Sequence, residues 1–151
     1  ENVRKSELTR EKQRLLWEGL KMFIFLDIDG VLNKESDWSK PFSLNSDCIR
    51  RFCEKNREAR IILISSWKNG FISSHNEKNT PQIKELEAQL DRYGIRIVGK
   101  VCDNRYRDYA VRDYLKEHPS IKEYVVDDDI KEYSSKDIPH LRLVDSKVGF
   151  R

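Results

Sequence analysis

The sequence lacks the features that mark several protein classes. It contains three cysteines, an odd number, and no CxxC pair. Neither a disulfide framework nor a zinc site is therefore indicated, and a reducing, cytoplasmic compartment is expected. The apolar runs are far shorter than the ~20 residues of a membrane span, and the charged N-terminal region has no signal-peptide apolar stretch. We therefore expect a soluble protein without a membrane partner.

Charge is abundant but nearly balanced. Charged residues make up 36% of the 151 residues, with 29 basic against 26 acidic side chains and a formal net charge of +3. The apolar residues gather in short, separate runs, which indicates a folded core under a charged surface rather than disorder. A chain of this length fits one domain. The small positive charge permits a polyanionic partner but does not require one.

The first 21 residues differ from the rest. Leucines recur on one face between residues 6 and 20, which predicts an amphipathic helix. The chain starts at Glu1, and its single methionine, Met22, directly precedes the first long apolar run. We therefore assign residues 1–21 to a leading helix or the remnant of an upstream region and residues 22–151 to the main domain. The start at Glu1 is compatible with a fragment or a processed form of a larger protein.

Short apolar runs and helical repeats alternate along the main domain. Continuous apolar runs are typical of strands that are covered on both faces, and they predict strands at residues 22–26, 61–64, 95–101, 124–126 and 141–144. Helices are predicted between them, starting near Asn45, near Thr80 and before Val111. This alternation predicts an α/β fold with a mostly parallel sheet.

Three of the predicted strands end in polar residues, namely Asp27, Ser65 and Asp127. Ligands of parallel sheets collect beyond the carboxyl ends of the strands, so these residues are expected to share one rim. Asp29 follows Asp27 by two positions, and one carboxylate of such a pair can attack phosphorus while the other transfers protons. Magnesium prefers oxygen ligands and would supply the countercharge, which would also account for Asp128.

Each of these motifs also has a simpler interpretation. A DxDG segment occurs in solvated turns, because aspartate and glycine favour turns for local backbone reasons. The acidic run at residues 127–129 could be an exposed turn, and Ser65 with Ser66 could end a strand or cap a helix. The order of the three motifs along the chain favours a shared site.

That order resembles the haloacid dehalogenase superfamily over about residues 22–144. The first motif of the family resembles residues 27–33, and the second aspartate there, Asp29, points to the phosphatase branch. The second motif resembles Ser65 followed by Ser66 and Trp67, and the fourth resembles residues 125–128. The resemblance implies a Rossmann-like three-layer sandwich.

The resemblance also implies roles for individual residues. Asp27 would be the nucleophile and Asp29 the general acid and base, whereas Ser65 and Ser66 would bind phosphate. Magnesium would be held by Asp27, by the carbonyl of Asp29 and by two further acids, Asp127 and Asp128.

The third motif of the family is a cation at the start of the helix before the last motif strand. Arg107 is the best match, although the family usually has lysine, and arginine differs from lysine in reach and hydration. Three other cations remain alternatives: Lys100, Arg105 and Arg112.

The intervals between the motifs leave no room for a large cap domain, so the site is expected to be open. The resemblance is closest to capless phosphatase domains of RNA-repair proteins. Four residues on the loop after the first motif could contact a nucleic acid through stacking and charge: Lys34, Trp38, Lys40 and Phe42. Alternatively, the two aromatic residues pin the loop to the core. Trp67 is predicted to be a core residue.

These observations predict a magnesium-dependent phosphomonoester hydrolase that works through a phosphoaspartate, with a terminal phosphate of RNA or DNA as its substrate. A phosphatase of small metabolites or nucleotides is an alternative. A non-catalytic module that binds nucleic-acid ends is another.

Overall fold

The computed structural model describes residues 22–122, 124–134 and 140–151, and the predicted leading helix lies outside these ranges. The strands are β1 (Phe23–Leu26), β2 (Arg60–Leu63), β3 (Arg96–Lys100), β4 (Val125–Asp127) and β5 (Leu141–Leu143). The α-helices of the described ranges are α1 (Ser46–Lys55), α2 (Pro81–Asp91) and α3 (Arg107–Glu117). Short 3₁₀ helices span Glu35–Asp37, Ser66–Gly70 and Ile130–Glu132.

The five strands form one parallel sheet in the order β3-β2-β1-β4-β5. The central strand β1 pairs with β2 on one side and with β4 on the other. The ends of β1, β2 and β4 therefore lie next to one another at one edge of the sheet. This arrangement confirms the predicted α/β fold and the shared rim, and the sheet is parallel throughout.

Alternate residues of the strands face two separate apolar clusters. Ile24 and Leu26 of β1 belong to a cluster that also contains Phe52 of α1 and Leu86 of α2. Phe25, between them, belongs to a second cluster. That second cluster includes Ala110 and Val111 of α3. Side chains alternate across a strand, so α1 and α2 cover one face of the sheet and α3 covers the other, as in a three-layer sandwich.

The starts of two helices follow from their caps. The Asn45 side chain accepts hydrogen bonds from the backbone amides of Asp47 and Cys48, and Thr80 accepts one from Ile83 with proline at the next position. The α2 helix ends at Asp91, and the chain then turns through Gly94 at a φ of +69°.

The described residues contain no large cap domain. The chain from β1 to α1 and the chain from β2 to α3 add one strand, one α-helix and two 3₁₀ helices. Among the described residues, no helix has the length and apolar character needed to cross a membrane.

Candidate active site

Three side chains lie side by side at the carboxyl edge of the sheet. Asp27 directly follows β1, Ser65 lies just beyond β2, and Asp127 ends β4. The Asp27 amide donates to the carbonyl of Val126 at 3.0 Å, so the parallel pairing extends to the site itself. All three side chains are buried, with Asp127 fully inaccessible. The fold thus collects three sequence-distant polar groups at the edge where a parallel sheet binds ligands.

The acidic centre of the site consists of Asp27, Asp127 and Asp128. One side-chain oxygen from each lies within 4.8 Å of the others. Burial, reinforced by the charge of Asp127, raises the pKa of Asp27 well above its ordinary value, and burial also raises the pKa of Asp128. Three crowded carboxylates need a countercharge. Their all-oxygen donor set fits a hard divalent cation such as Mg²⁺.

The turn after β1 brings Asp128 close to the backbone. Gly30 has a φ of +85°, which favours glycine, and a β-carbon there would collide with the carboxylate of Asp128. The glycine of the DxDG segment therefore permits the turn and leaves room for an acid from the neighbouring strand end.

Arg107 lies in the first turn of α3 and reaches this acidic centre. Its Nη1 donates to both carboxylate oxygens of Asp127, at 2.9 and 2.7 Å, and lies 3.5 Å from Oδ1 of Asp27. Burial opposes the charge on Arg107, but Asp27 and then Asp127 raise its pKa above the ordinary value. The guanidinium is therefore a fixed positive charge between two acids.

The other candidate cations have different partners. Lys100 donates to the backbone carbonyls of Lys68 and Phe71. Arg105 lies over the ring of Tyr106, and Arg112 lies 3.6 Å from Asp108. The geometry thus favours Arg107 for the third motif and gives Lys100 a structural contact.

Two partners of the catalytic candidates were not predicted from the sequence. The Tyr133 hydroxyl donates to Oδ2 of Asp127 at 2.6 Å, and burial followed by the charge of Asp127 raises the pKa of this tyrosine. The Asn33 amide donates to Oδ1 of Asp29 at 2.9 Å. Asn33 ends the segment that resembles the first family motif, which was the available signal. Tyr133 lies outside the motifs, and only the folded structure brings its hydroxyl to Asp127.

Trp67 is buried, as predicted for a core residue, but it also has a polar contact. Its indole Nε1 donates to Oδ1 of Asp29 at 3.1 Å, beside the bond from Asn33. One oxygen of Asp29 is thus held by two donors.

The two serines occupy different environments. The Ser65 hydroxyl oxygen accepts a bond from the Trp67 amide at 3.3 Å and caps the 3₁₀ helix Ser66–Gly70, as the simpler interpretation suggested. A hydroxyl that accepts a bond still has a proton to donate. Ser66 is exposed and lines the cleft that contains Arg107. Phosphate binding by either serine stays a prediction.

The loop after the first motif is both anchored and exposed. The Trp38 indole donates to Oδ1 of Asn33 at 2.9 Å, yet 44% of the residue is accessible. Phe42 is 52% accessible, and its ring meets that of Trp67 edge to face at 5.3 Å. Lys34 is half-buried and Lys40 is exposed. The two aromatic residues therefore anchor the loop to Asn33 and Trp67, which both donate to Asp29, and they also expose part of their ring surface.

A family model describes this combination of fold and site. Residues 23–151 match the model of the HAD domain in Swiss Army Knife RNA repair proteins. The match covers most of the chain and the whole described sheet, so the protein belongs to this family of haloacid dehalogenase-like domains. Neither the curated proteins nor the solved structures give a significant match to the chain.

Proposed function

We propose that the protein is a magnesium-dependent phosphomonoester hydrolase that acts through a phosphoaspartate on Asp27. The observation that carries the proposal is the placement of Asp27, Asp127 and Arg107 at adjoining strand and helix ends. The buried carboxylate of Asp27 lies there beside a second acid, Asp127, and the cation of Arg107 contacts both. Membership of a haloacid dehalogenase-like family supports the same reaction class.

The chain supplies separate groups for nucleophilic attack and proton transfer. A carboxylate oxygen of Asp27 attacks phosphorus, and the ester bond to the leaving oxygen breaks as the phosphoaspartate forms. Asp29 gives a proton to that oxygen and later takes one from the water that hydrolyses the intermediate. Asn33 and Trp67 orient Asp29 for both steps through its Oδ1 atom.

Positive charge must offset the transferring phosphoryl group. Arg107 supplies one fixed cation, and donors preorganised where charge develops lower the barrier most effectively. Asp27, Asp127, Asp128 and the carbonyl of Asp29 would hold Mg²⁺. The bound metal would screen the acids and polarise a phosphoryl oxygen.

We further propose that the phosphate is the terminal phosphate of an RNA or DNA strand. The site lacks a large cap in the described residues, and the exposed rings of Trp38 and Phe42 contact Asn33 and Trp67, the two residues that donate to Asp29. Exposed rings beside a phosphate site can stack on bases without sequence preference. The family description, which places the domain in RNA repair proteins, points the same way.

The test compares three substrates with magnesium and with a chelator: 3′- or 5′-phosphorylated oligonucleotides, mononucleotides and nitrophenyl phosphate. We expect turnover that requires magnesium, is abolished by Asp27→Asn and favours the oligonucleotides in kcat/KM. A preference for mononucleotides would assign the protein to small-molecule phosphatases. Magnesium-dependent binding of oligonucleotide ends without turnover of any ester would instead indicate a non-catalytic module.

A further inference from the structure

Beside the proposed catalytic groups lies an ion pair that the mechanism does not use. Lys68, in the 3₁₀ helix Ser66–Gly70, places its Nζ 2.6 Å from Oδ1 of Asp103. Lys68, Asp103, Ser66 and Arg107 line one cleft of about 230 Å³. The ammonium of Lys68 therefore opens into the same cavity as the cation proposed to meet the phosphoryl group.

The two partners of this ion pair differ greatly in exposure. The Lys68 side chain is 12% accessible, whereas that of Asp103 is 87% accessible. The hydrogen bond from Lys68, followed by its charge, lowers the pKa of Asp103, which is therefore a carboxylate at neutral pH. The exposed Asp103 can rotate into solvent when another anion takes its place. Lys68 is confined to the cleft and needs an anionic partner, because an unpaired charge with so little access to water is unfavourable.

Hydrogen bonds hold the backbone of Lys68 on both sides of the residue. Its amide donates to the carbonyl of Ser65, and its carbonyl accepts from the amide of Phe71 and from Nζ of Lys100. The side chain of Lys100 thus helps to fix the segment that carries Lys68. The position of Lys68 relative to Ser65 is set by the fold.

We propose that Lys68 binds the phosphodiester adjacent to the terminal phosphate of a polynucleotide substrate and that this phosphate displaces Asp103 from the ion pair. The inference rests on the proposed function, because the terminal phosphate must occupy the site at Asp27. Charge-assisted hydrogen bonds from lysine to phosphate are short and strong. A second phosphate of the same strand would enter the shared cleft and take the place of the Asp103 carboxylate at Lys68. The bound substrate itself would position this phosphate.

The experiment measures kcat and KM for a short oligonucleotide with a terminal phosphate and for nitrophenyl phosphate, which has no second phosphate. In Lys68→Gln, KM for the oligonucleotide should rise about tenfold, as expected for the loss of one hydrogen bond to a charged group, with little change in kcat. Its KM for nitrophenyl phosphate should not change. Lys68→Arg should recover most of the loss, and Asp103→Asn should lower KM for the oligonucleotide by removing the competing carboxylate.

Two further measurements separate this subsite from a structural role. The slope of log affinity against log salt should fall by about 0.7 in Lys68→Gln, the value for one single-strand phosphate contact. Lys116→Gln is the matched control, because Lys116 is an exposed lysine on the last turn of α3, about 14 Å along the helix from Arg107. It should change neither KM nor the salt slope.

The outcomes distinguish the inference from the proposed function. An equal loss on both substrates in Lys68→Gln would place Lys68 at the reacting phosphoryl group, and an unchanged oligonucleotide KM would remove it from binding. Either result overturns the inference and leaves the phosphatase proposal intact. If the wild type hydrolyses neither ester, the proposed function fails. The same variants are then compared by oligonucleotide binding, where a loss confined to Lys68→Gln supports the subsite and equal binding overturns it.

Discussion

Asp27 is a carboxylate in a place that disfavours its charge. The residue is 3% accessible and lies beside Asp127 and Asp128. Burial, followed by the charge of Asp127, raises its pKa well above the ordinary value. A nucleophile must nevertheless be ionised to attack phosphorus. In the metal-free protein the ionisation of Asp27 is therefore unfavourable, and a bound cation would reduce this penalty.

The unfavourable ionisation of Asp27 predicts that Asp27→Asn is more stable than the wild type in metal-free buffer. Below about pH 4, the ordinary range for aspartate, Asp27 is protonated in both the folded and the unfolded states. As the pH rises, the unfolded state releases the proton first, so the wild type loses stability up to the raised folded pKa. The amide has no such transition. We expect the melting temperature of Asp27→Asn to exceed that of the wild type by an amount that grows with pH.

Thermal unfolding from pH 4 to pH 8 in chelator measures this difference. A tenfold difference in proton affinity corresponds to about 1.4 kcal/mol, which corresponds to several degrees for a domain of this size. Asp113→Asn, at an exposed position of α3, is the control and should show only a small difference in melting temperature. If the melting temperature of Asp27→Asn were lower than that of the wild type, or higher by an amount that does not change with pH, ionisation of the buried Asp27 would not destabilise the fold.

Arg107 is the residue whose assignment from sequence was least specific, and its contacts make that assignment testable. We expect Arg107→Ala to lower kcat by about 10²–10³, the usual loss for one preorganised donor. If Arg107 acts through its charge near the phosphoryl group, Arg107→Lys should recover much of the activity. If it acts through the planar guanidinium, which can donate two hydrogen bonds at once, Arg107→Lys should stay impaired. Steady-state kinetics on the preferred substrate distinguish these cases.

The matched control is Arg112→Ala, since Arg112 is an exposed arginine on the same helix, and it should leave kcat near the wild-type value. If Arg107→Ala were nearly silent and Lys100→Ala severe, the third motif would have been assigned to the wrong residue. Lys100→Ala is itself expected to act through the backbone carbonyls that it binds, so its effect should appear in stability as well as in kinetics.

The turn after β1 connects the first motif to the acidic centre. Gly30→Ala would place a methyl group against the carboxylate of Asp128 at a backbone φ of +85°. Both effects are unfavourable. We expect weaker magnesium activation, because Asp128 is pushed away from Asp27, together with a stability loss of about 1–3 kcal/mol.

Gly94→Ala is the control for the backbone contribution. It has a φ of +69°, but it lies after α2, and a β-carbon there would meet the side chain of Glu58 rather than the site. It should lose stability without a change in the magnesium concentration needed for half-maximal activity. If Gly30→Ala and Gly94→Ala needed the same magnesium concentration for half-maximal activity, Gly30 would have no specific role in the proposed metal site.

Elements with local signals were predictable from the sequence. Asn45 and the Thr80–Pro81 pair cap their helices through side chains and a fixed φ, and both helices start where the caps indicate. The α3 helix has no side-chain cap on Tyr106, so its start at Arg107 had to be inferred from family spacing. The contact of Tyr133 with Asp127 depends on the path after β4, for which residue patterns carry no signal.

The site joins parts of the chain that are far apart in sequence. Asp27 follows the central strand, Asp127 ends the adjacent strand β4, and Asp128 begins the following loop. A cation held by these acids would connect two strands while relieving their repulsion. Magnesium binding should therefore stabilise the fold as well as enable the proposed reaction.

We expect the melting temperature to rise with magnesium concentration. At 100 times the dissociation constant, linkage contributes about 2.7 kcal/mol, and a domain of roughly 150 residues gains about 2–4 °C per kcal/mol. A rise of about 5–10 °C is therefore expected for the wild type and a much smaller one for Asp27→Asn, which lacks one carboxylate ligand. Equal shifts in the two proteins would show that the ion binds elsewhere.

Calcium separates the stabilising role of the cation from its role in the proposed reaction. It accepts more oxygen ligands than magnesium and tolerates bidentate carboxylates, so it can bind the same acids and raise the melting temperature. A bidentate Asp27, however, has no free oxygen with which to attack phosphorus. We therefore expect calcium to stabilise the wild type while inhibiting the magnesium-dependent activity, with thermal unfolding and kinetics measured on the same samples. Full activity with calcium alone would contradict the proposed role of Asp27 as both ligand and nucleophile.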